Sequence, residues 1–166
     1  MDDVTRDALA GQVGAALDML GAAIDACPDT AWADREHPPA FGDLAFHVLF
    51  WFDLYLADDP ARYAPPAPFG LEERDPAGVL PPRVYSKAEL TAYLAHGRAG
   101  LRTRLEVLRR EPAAAARTVS SGHLELPMLE LLLYNLRHLH HHVGQLQAQL
   151  RRAGVEPPRW VRRGGS

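Results

Sequence analysis

Apolar residues recur at intervals of three and four in four segments of the chain, the spacing that aligns side chains along one face of an α-helix. The first segment covers residues 3–26 and ends at Cys27 and Pro28. The second runs from about residue 41 to about residue 57 and is apolar on nearly every side. Helices of that kind are usually buried, so we expect the second helix to lie in the core.

The third and fourth segments carry helix-start and helix-stop residues as well as a periodic pattern. Ser86 and Glu89 have the spacing of a capping box, and the leucine repeat that follows them ends before Pro112. The last segment runs from Pro127 to about Gly154 and alternates steps of three and four throughout. It gives the most regular helix pattern in the sequence.

A proline-rich stretch, residues 59–85, separates the second helix from the third. Its seven prolines and two glycines exclude a helix or a central strand. Connections of this length either cover a functional site or cross along a bundle. A shorter polar stretch, residues 113–125, contains a turn signal at residues 120–122. We therefore predict an all-α four-helix bundle with a long crossover connection between helices 2 and 3, in one domain covering residues 1–166.

The composition and charge of the chain indicate which binding partners and which cellular location to expect. The chain has 166 residues, 47% of them hydrophobic, and a formal charge of -3 without a broad basic surface. Duplex nucleic acid would need such a surface, so we expect no nucleic-acid partner. No run of about 20 apolar residues is present, and the start Met1-Asp2-Asp3 lacks a basic signal region. We expect a cytoplasmic protein with no membrane contact.

The number of cysteines limits the kinds of covalent link and metal site that the chain can form. Cys27 is the single cysteine of the sequence, which excludes an intrachain disulfide and a cysteine-based zinc site. A lone thiol at the end of a helical pattern can be a nucleophile, but it is more often a small core residue. We interpret Cys27 as part of the core.

Three histidines have the spacing and surroundings of metal ligands. His138 and His142 lie one turn apart on the last helix, about 40° apart around the axis and about 6 Å along it, so both rings can reach one ion. His47 shares its helix face with apolar residues, and binding a metal would satisfy its ring nitrogens. Three imidazoles without a thiolate leave coordination positions open, as in catalytic zinc sites. Each histidine also has a plainer interpretation, as a hydrogen-bonded core residue or as part of a solvated run.

Other polar residues are candidates for the surroundings of that site. Asp43, Asn135 and Gln145 lie one turn from a proposed ligand and are candidate hydrogen-bond partners of the rings. Helix capping or solvation is the plainer interpretation of all three, and it explains Asp43 at least as well. His123 is a candidate to line the site from its loop, and His141 points away from the leucine face.

Two segments resemble motifs of the DinB-like superfamily, also described as DinB/YfiT-like metalloenzymes. They are AFHVLFW around His47, and NLRHLHHHVGQL, which contains His138, His142 and the Gly-Gln pair at 144–145. The resemblance covers nearly the whole chain, including the order of the helices and the long second connection. The sequence departs from the family pattern at Val143, where members often carry a basic or polar residue.

This resemblance implies a bundle that binds a divalent metal, commonly zinc or nickel, through His47, His138 and His142, often in a homodimer. Characterised relatives include thiol-dependent transferases that use mycothiol or bacillithiol, and metal-dependent hydrolases. We expect a transferase using a low-molecular-weight thiol, or a hydrolase, acting on a small molecule. The alternatives are a non-catalytic metal-binding module for sensing, storage or dimer stabilisation, and a metal-free bundle whose histidines satisfy one another.

Overall fold

Four long helices form most of the chain in the computed structural model. The model describes residues 1–164, so residues 165 and 166 of the predicted domain lie outside the described residues. The long helices are α1 (Asp3–Ala26), α3 (Phe41–Leu54), α4 (Lys87–Arg110) and α5 (Met128–Arg152). A four-residue helix, α2 (Asp29–Trp32), follows α1, and strands β1 (Thr118–Ser120) and β2 (Glu125–Pro127) precede α5.

The long helices pack as a bundle in which α1 and α3 are each in contact with both α4 and α5. Their apolar faces enclose one continuous core. This arrangement confirms the predicted all-α four-helix bundle. The predicted helices 2 and 3 are α3 and α4, and the long crossover connection joins them. The predicted second helix was about three residues too long, because Tyr55 caps α3 and the chain then turns. None of the helices within residues 1–164 is long and apolar enough to cross a membrane.

Helix α4 begins at the capping box that the sequence predicts. The Oγ of Ser86 accepts a hydrogen bond from the amide of Glu89 at 3.3 Å, and the Glu89 carboxylate accepts one from the amide of Ser86 at 2.7 Å. These two bonds satisfy amides that have no partner inside the helix. They fix the point at which the long connection ends and α4 starts.

Replacing Ser86 with alanine should lower the free energy of unfolding by about 1 kcal/mol, because the Glu89 amide loses its acceptor. For a chain of this size, the melting temperature should fall by roughly 2–4 °C. Chemical denaturation of both proteins measures the difference. Ser120→Ala in β1 is the matched control, since Ser120 is exposed and its replacement should leave the melting temperature within about 1 °C of wild type. Equal stabilities for the two variants would contradict this role of the capping box.

Aromatic side chains fix the long connection to the bundle. The ring of Phe69 stacks on that of Tyr93 in α4, with a centroid distance of 4.3 Å, and lies 5.7 Å from the ring of Phe46 in α3. On either side of Phe69 the connection forms a single-turn 3-10 helix, Pro60–Arg62 before it and Glu72–Arg74 after it, and neither turn was predicted from the sequence. The second turn brings an acidic side chain to α3.

The strands β1 and β2 form a small antiparallel hairpin where the sequence predicted only a turn, and Pro127, predicted to start the last helix, is instead the last residue of β2 and the N-cap of α5. Val119 pairs with Leu126, and the amide of Ser121 donates to the carbonyl of Leu124 at 2.9 Å. Each strand has three residues and one apolar side chain, too short a pattern to identify from periodicity. The hairpin holds the predicted turn and places His123 next to the bundle.

Candidate metal centre

His47 from α3 meets His138 and His142 from α5 at the contact between the two helices. The Nε2 atoms of His138 and His142 lie 3.1 Å apart. The ring of His47 lies 4.8 Å from that of His142 and 5.3 Å from that of His138, measured between centroids. One nitrogen from each of the three rings falls within a group whose members lie no more than 4.8 Å apart.

The packing of α5 explains why these rings converge. Leu139, Val143 and Leu146 are buried in the core. His138 and His142 lie beside them at the edge of the apolar face, where α5 packs against α3. The structure therefore brings together the three histidines that the sequence selected.

The outer nitrogen of His47 is held by a residue from the long connection. Nδ1 of His47 lies 2.6 Å from Oε2 of Glu73, and the same oxygen accepts a hydrogen bond from Nε1 of Trp51 at 3.0 Å. The Glu73 side chain is only 14% exposed. A carboxylate on Nδ1 orients the ring and makes its Nε2 a stronger electron donor. Glu73 could not be identified from the sequence, since it lies 26 residues from His47 in a segment without periodicity.

Gln145 holds the outer nitrogen of His142. Its Oε1 lies 2.7 Å from Nδ1 of His142, which places the proton on Nδ1 and leaves the lone pair on Nε2. The Gln145 amide nitrogen lies 3.2 Å from Nε2 of His141. Gln145 thus occupies the position that the sequence analysis considered for it, beside a candidate ligand.

The structure does not bring the other two candidate partners to the rings. The carboxylate of Asp43 is bound by the guanidinium of Arg35 at 2.8 and 2.9 Å, so it fixes the loop before α3. The amide of Asn135 donates to the carbonyl of Phe52 at 3.0 Å. Asn135 is buried, and it joins α5 to the last turn of α3. Both residues lie one turn from a histidine but point toward other partners.

Burial keeps His138 and His142 neutral. It lowers the pKa of His138 to about 3, with further lowering by the neighbouring His142 and His47. Burial also lowers the pKa of His142. A metal ligand must offer a lone pair rather than a proton, so neutral rings at neutral pH are suited to metal binding. Within residues 1–164, Nδ1 of His138 is buried without a hydrogen-bond partner, so the three rings do not fully satisfy one another.

The donor set fits a first-row divalent ion. Two nitrogen ligands of a tetrahedral zinc ion lie about 3.3 Å apart, close to the 3.1 Å between the Nε2 atoms of His138 and His142. No fourth histidine, cysteine or carboxylate within the described chain joins the group. Nε2 of His123 lies 3.1 Å from the hydroxyl of Tyr55 instead. A site with three protein ligands leaves room for water or substrate.

Aromatic rings surround the histidines on the side of the hairpin. Trp51 lies 5.0 Å from His123 and 5.6 Å from Tyr55, and Tyr134 lies 6.3 Å from His138 in a nearly parallel orientation. Burial raises the pKa of Tyr55, so its hydroxyl stays protonated beside His123. These rings can pack against an apolar part of a bound molecule.

Cys27 lies apart from this cluster and should be inert. It is 1% exposed, and burial raises the pKa of its thiol from 9.0 to about 11. The thiolate fraction at pH 8 is then about 100-fold smaller than for an unshifted thiol. Iodoacetamide should therefore modify the native protein at least 100-fold more slowly than the denatured protein, as measured by mass spectrometry. Comparable rates in the two states would contradict a core role for Cys27.

Comparisons with known proteins agree with this architecture. A family model described as the DinB superfamily matches residues 6–146. The crystal structure of a DinB-like protein from Bacillus cereus ATCC 10987 is similar, with a TM-score of 0.56 and 18% sequence identity. The match covers 88% of this chain and 91% of that chain, which shows a shared fold. No curated protein gives a significant match.

Proposed function

The chain belongs to the DinB superfamily, and from this premise we propose that it is a metal-dependent enzyme acting on a small molecule. His47, His138 and His142 hold a divalent ion, with zinc or nickel as the first choices. The reaction is transfer of a low-molecular-weight thiol to an electrophile, or hydrolysis. The resemblance to thiol-dependent members favours transfer, while the geometry of the site accommodates either reaction.

The observation that carries this proposal is the convergence of three imidazoles from two helices. They come from positions 47, 138 and 142 and lie in a group with no fourth protein ligand within residues 1–164. A structural zinc site is usually closed by four protein ligands, whereas a catalytic site keeps a position open. The set of three therefore supports an ion that can also bind water or substrate.

The protein groups around the ion have separate tasks. Glu73 and Gln145 hold the outer nitrogens of His47 and His142, so that the inner nitrogens face one point. The ring of Trp51 lies 6.3 Å from that of His47 and the ring of Tyr134 lies 6.3 Å from that of His138, so both would cover part of the space around that point. When bound, the ion would lower the pKa of a coordinated water or thiol and make it nucleophilic at neutral pH. His123, paired with the Tyr55 hydroxyl, stands at the edge of the site, where it can form a hydrogen bond to a bound molecule.

A paired assay on untagged protein loaded with one equivalent of zinc or nickel tests this function. The first arm follows loss of a free thiol, such as cysteine, mycothiol or bacillithiol, in the presence of a small electrophile. The second arm follows hydrolysis of an activated ester without thiol. Metal-dependent turnover in either arm supports an enzyme and identifies its class. A metal-loaded protein that is inactive across a panel of electrophiles and esters would favour the non-catalytic metal-binding module.

Four further properties belong to the same proposal: the extent of the domain, the oligomeric state, the location and the absence of a nucleic-acid partner. We propose one domain over residues 1–166, because the four long helices share one core. We also propose a homodimer in the cytoplasm, on the resemblance to the family, with no nucleic-acid partner. Sedimentation analysis with and without metal tests the dimer.

A further inference from the structure

A cavity lies between α3 and α4, apart from the three histidines, which are not among its lining residues. Its volume is about 440 Å³, and it is open to solvent. Asp53 and Leu56 line it from α3 and the turn that follows, and His96, Gly100 and Arg104 line it from α4. The proposed metal chemistry uses none of these residues.

Asp53 is a buried carboxylate at this cavity, with one oxygen well bonded and the other poorly bonded. The residue is 7% exposed. Its Oδ2 accepts a hydrogen bond from the Tyr63 hydroxyl at 2.8 Å, and Tyr63 is in turn bonded to Tyr93 at 2.7 Å. Its Oδ1 has a long contact, 3.4 Å, with Nε2 of the half-exposed His96. A buried carboxylate with an incomplete set of partners is costly.

The charges around Asp53 leave a negative site. Arg104 also lines the cavity, but its guanidinium donates to the carbonyl of Leu56 at 2.6 and 3.0 Å and pairs with Asp58 at 2.7 Å. Because Arg104 pairs with Asp58, His96 is the other basic side chain that lines the cavity, and its contact with Asp53 is long. Burial raises the pKa of the Asp53 carboxyl even though Tyr63 and His96 act to lower it, which shows that these neighbours do not offset the loss of water.

We propose that this cavity binds a small organic ammonium, with the protonated amine on Oδ1 of Asp53 and a short apolar body against Leu56. The amine would make a charge-assisted hydrogen bond in place of the long His96 contact. The cavity is large enough for a body of a few carbon atoms. This site is independent of the proposed metal centre and requires no metal.

Gly100 in α4 provides the space for the ligand. A methyl group at this position would lie 3.6 Å from Cδ1 of Leu56 and 3.8 Å from Oδ1 of Asp53, both ordinary van der Waals distances. Gly100→Ala therefore fits the fold and should strengthen the helix. The added methyl would also occupy the volume beside the carboxylate.

The test is a titration of metal-free protein with n-butylammonium chloride, followed by two-dimensional amide NMR at constant ionic strength. Saturable shifts of the Gly100 and Thr103 amides are expected in wild type. The association constant should fall at least tenfold in Asp53→Asn, which keeps the shape and removes the charge. It should fall at least threefold in Gly100→Ala, which keeps the charge and fills the space.

Controls separate specific binding from general effects of salt or apolar solutes. Sodium chloride and n-butanol, titrated over the same range, should not produce the saturable shifts. Melting curves of both variants should match or exceed wild type, so weaker binding cannot come from unfolding. The proposal is overturned by the absence of saturation in wild type, by equal shifts with sodium chloride, or by unchanged affinity in Asp53→Asn.

Discussion

Replacing His142 with alanine is expected to remove the bound metal. Apparent binding free energies of four-ligand zinc sites correspond to about 3 kcal/mol per ligand. Loss of one of three ligands should therefore weaken binding by roughly 100- to 1000-fold. Purified wild-type protein should carry about one ion per chain, and His142→Ala should carry almost none after dialysis against a weak chelator. Metal analysis by mass spectrometry of untagged protein measures the difference.

Two matched variants make this result specific. His141→Ala removes the adjacent exposed histidine and should retain the ion, because that ring is bonded to Gln145 rather than to the cluster. His47→Ala removes the ligand on α3 and should lose the ion as completely as His142→Ala. Metal that persists in His47→Ala but not in His142→Ala would indicate adventitious binding by the histidine run of α5. That result would contradict a site between the helices.

Glu73→Gln is expected to weaken zinc binding by about 10- to 100-fold while leaving the fold intact. Glutamine can still accept hydrogen bonds from His47 and Trp51, but it removes the negative charge that strengthens the Nε2 donor of His47. Competition with a chromophoric chelator at pH 7.5 gives the affinity. Limited proteolysis of residues 59–85 reports whether the connection also loosens.

Glu72→Gln is the control for this variant. Glu72 lies in the same single-turn helix and carries the same charge, but the partner of Nδ1 of His47 is Glu73. The control should therefore keep nearly wild-type affinity. If both variants weaken zinc binding equally, the effect comes from the general negative potential near the site. If neither does, Glu73 has no influence on the ion.

The helices could be predicted from the sequence because each has its own local pattern. The Ser86–Glu89 spacing located the start of α4, and the leucine repeat located α5. His138 and His142 could be paired because helical geometry fixes their separation. His47 was identified by its apolar neighbours and by the resemblance of its segment to a family motif, and the packing of α3 on α5 brings it to the other two.

The residues around the histidine rings could not be predicted from the helix patterns, because their positions depend on the path of the chain between the helices. Glu73 reaches His47 because Phe69 anchors the connection to the bundle, a contact without a periodic signature. Asp43 and Asn135 show the opposite case. Both lie one turn from a candidate ligand. Arg35 binds the carboxylate of Asp43, however, and the backbone carbonyl of Phe52 accepts a hydrogen bond from the amide of Asn135. The spacing of residues along a helix does not predict either of these competing partners.

The hydrogen bond between Trp51 and Glu73 places a fluorescent side chain beside the candidate metal site. The indole lies 6.3 Å from the His47 ring and shares a carboxylate oxygen with it, whereas the sequence has only two other tryptophans, Trp32 and Trp160. An ion with a partly filled d shell, such as nickel or copper, quenches nearby indole emission, while zinc does not. Trp51 is therefore a built-in optical reporter that would distinguish these ions during loading, without any label attached to the protein.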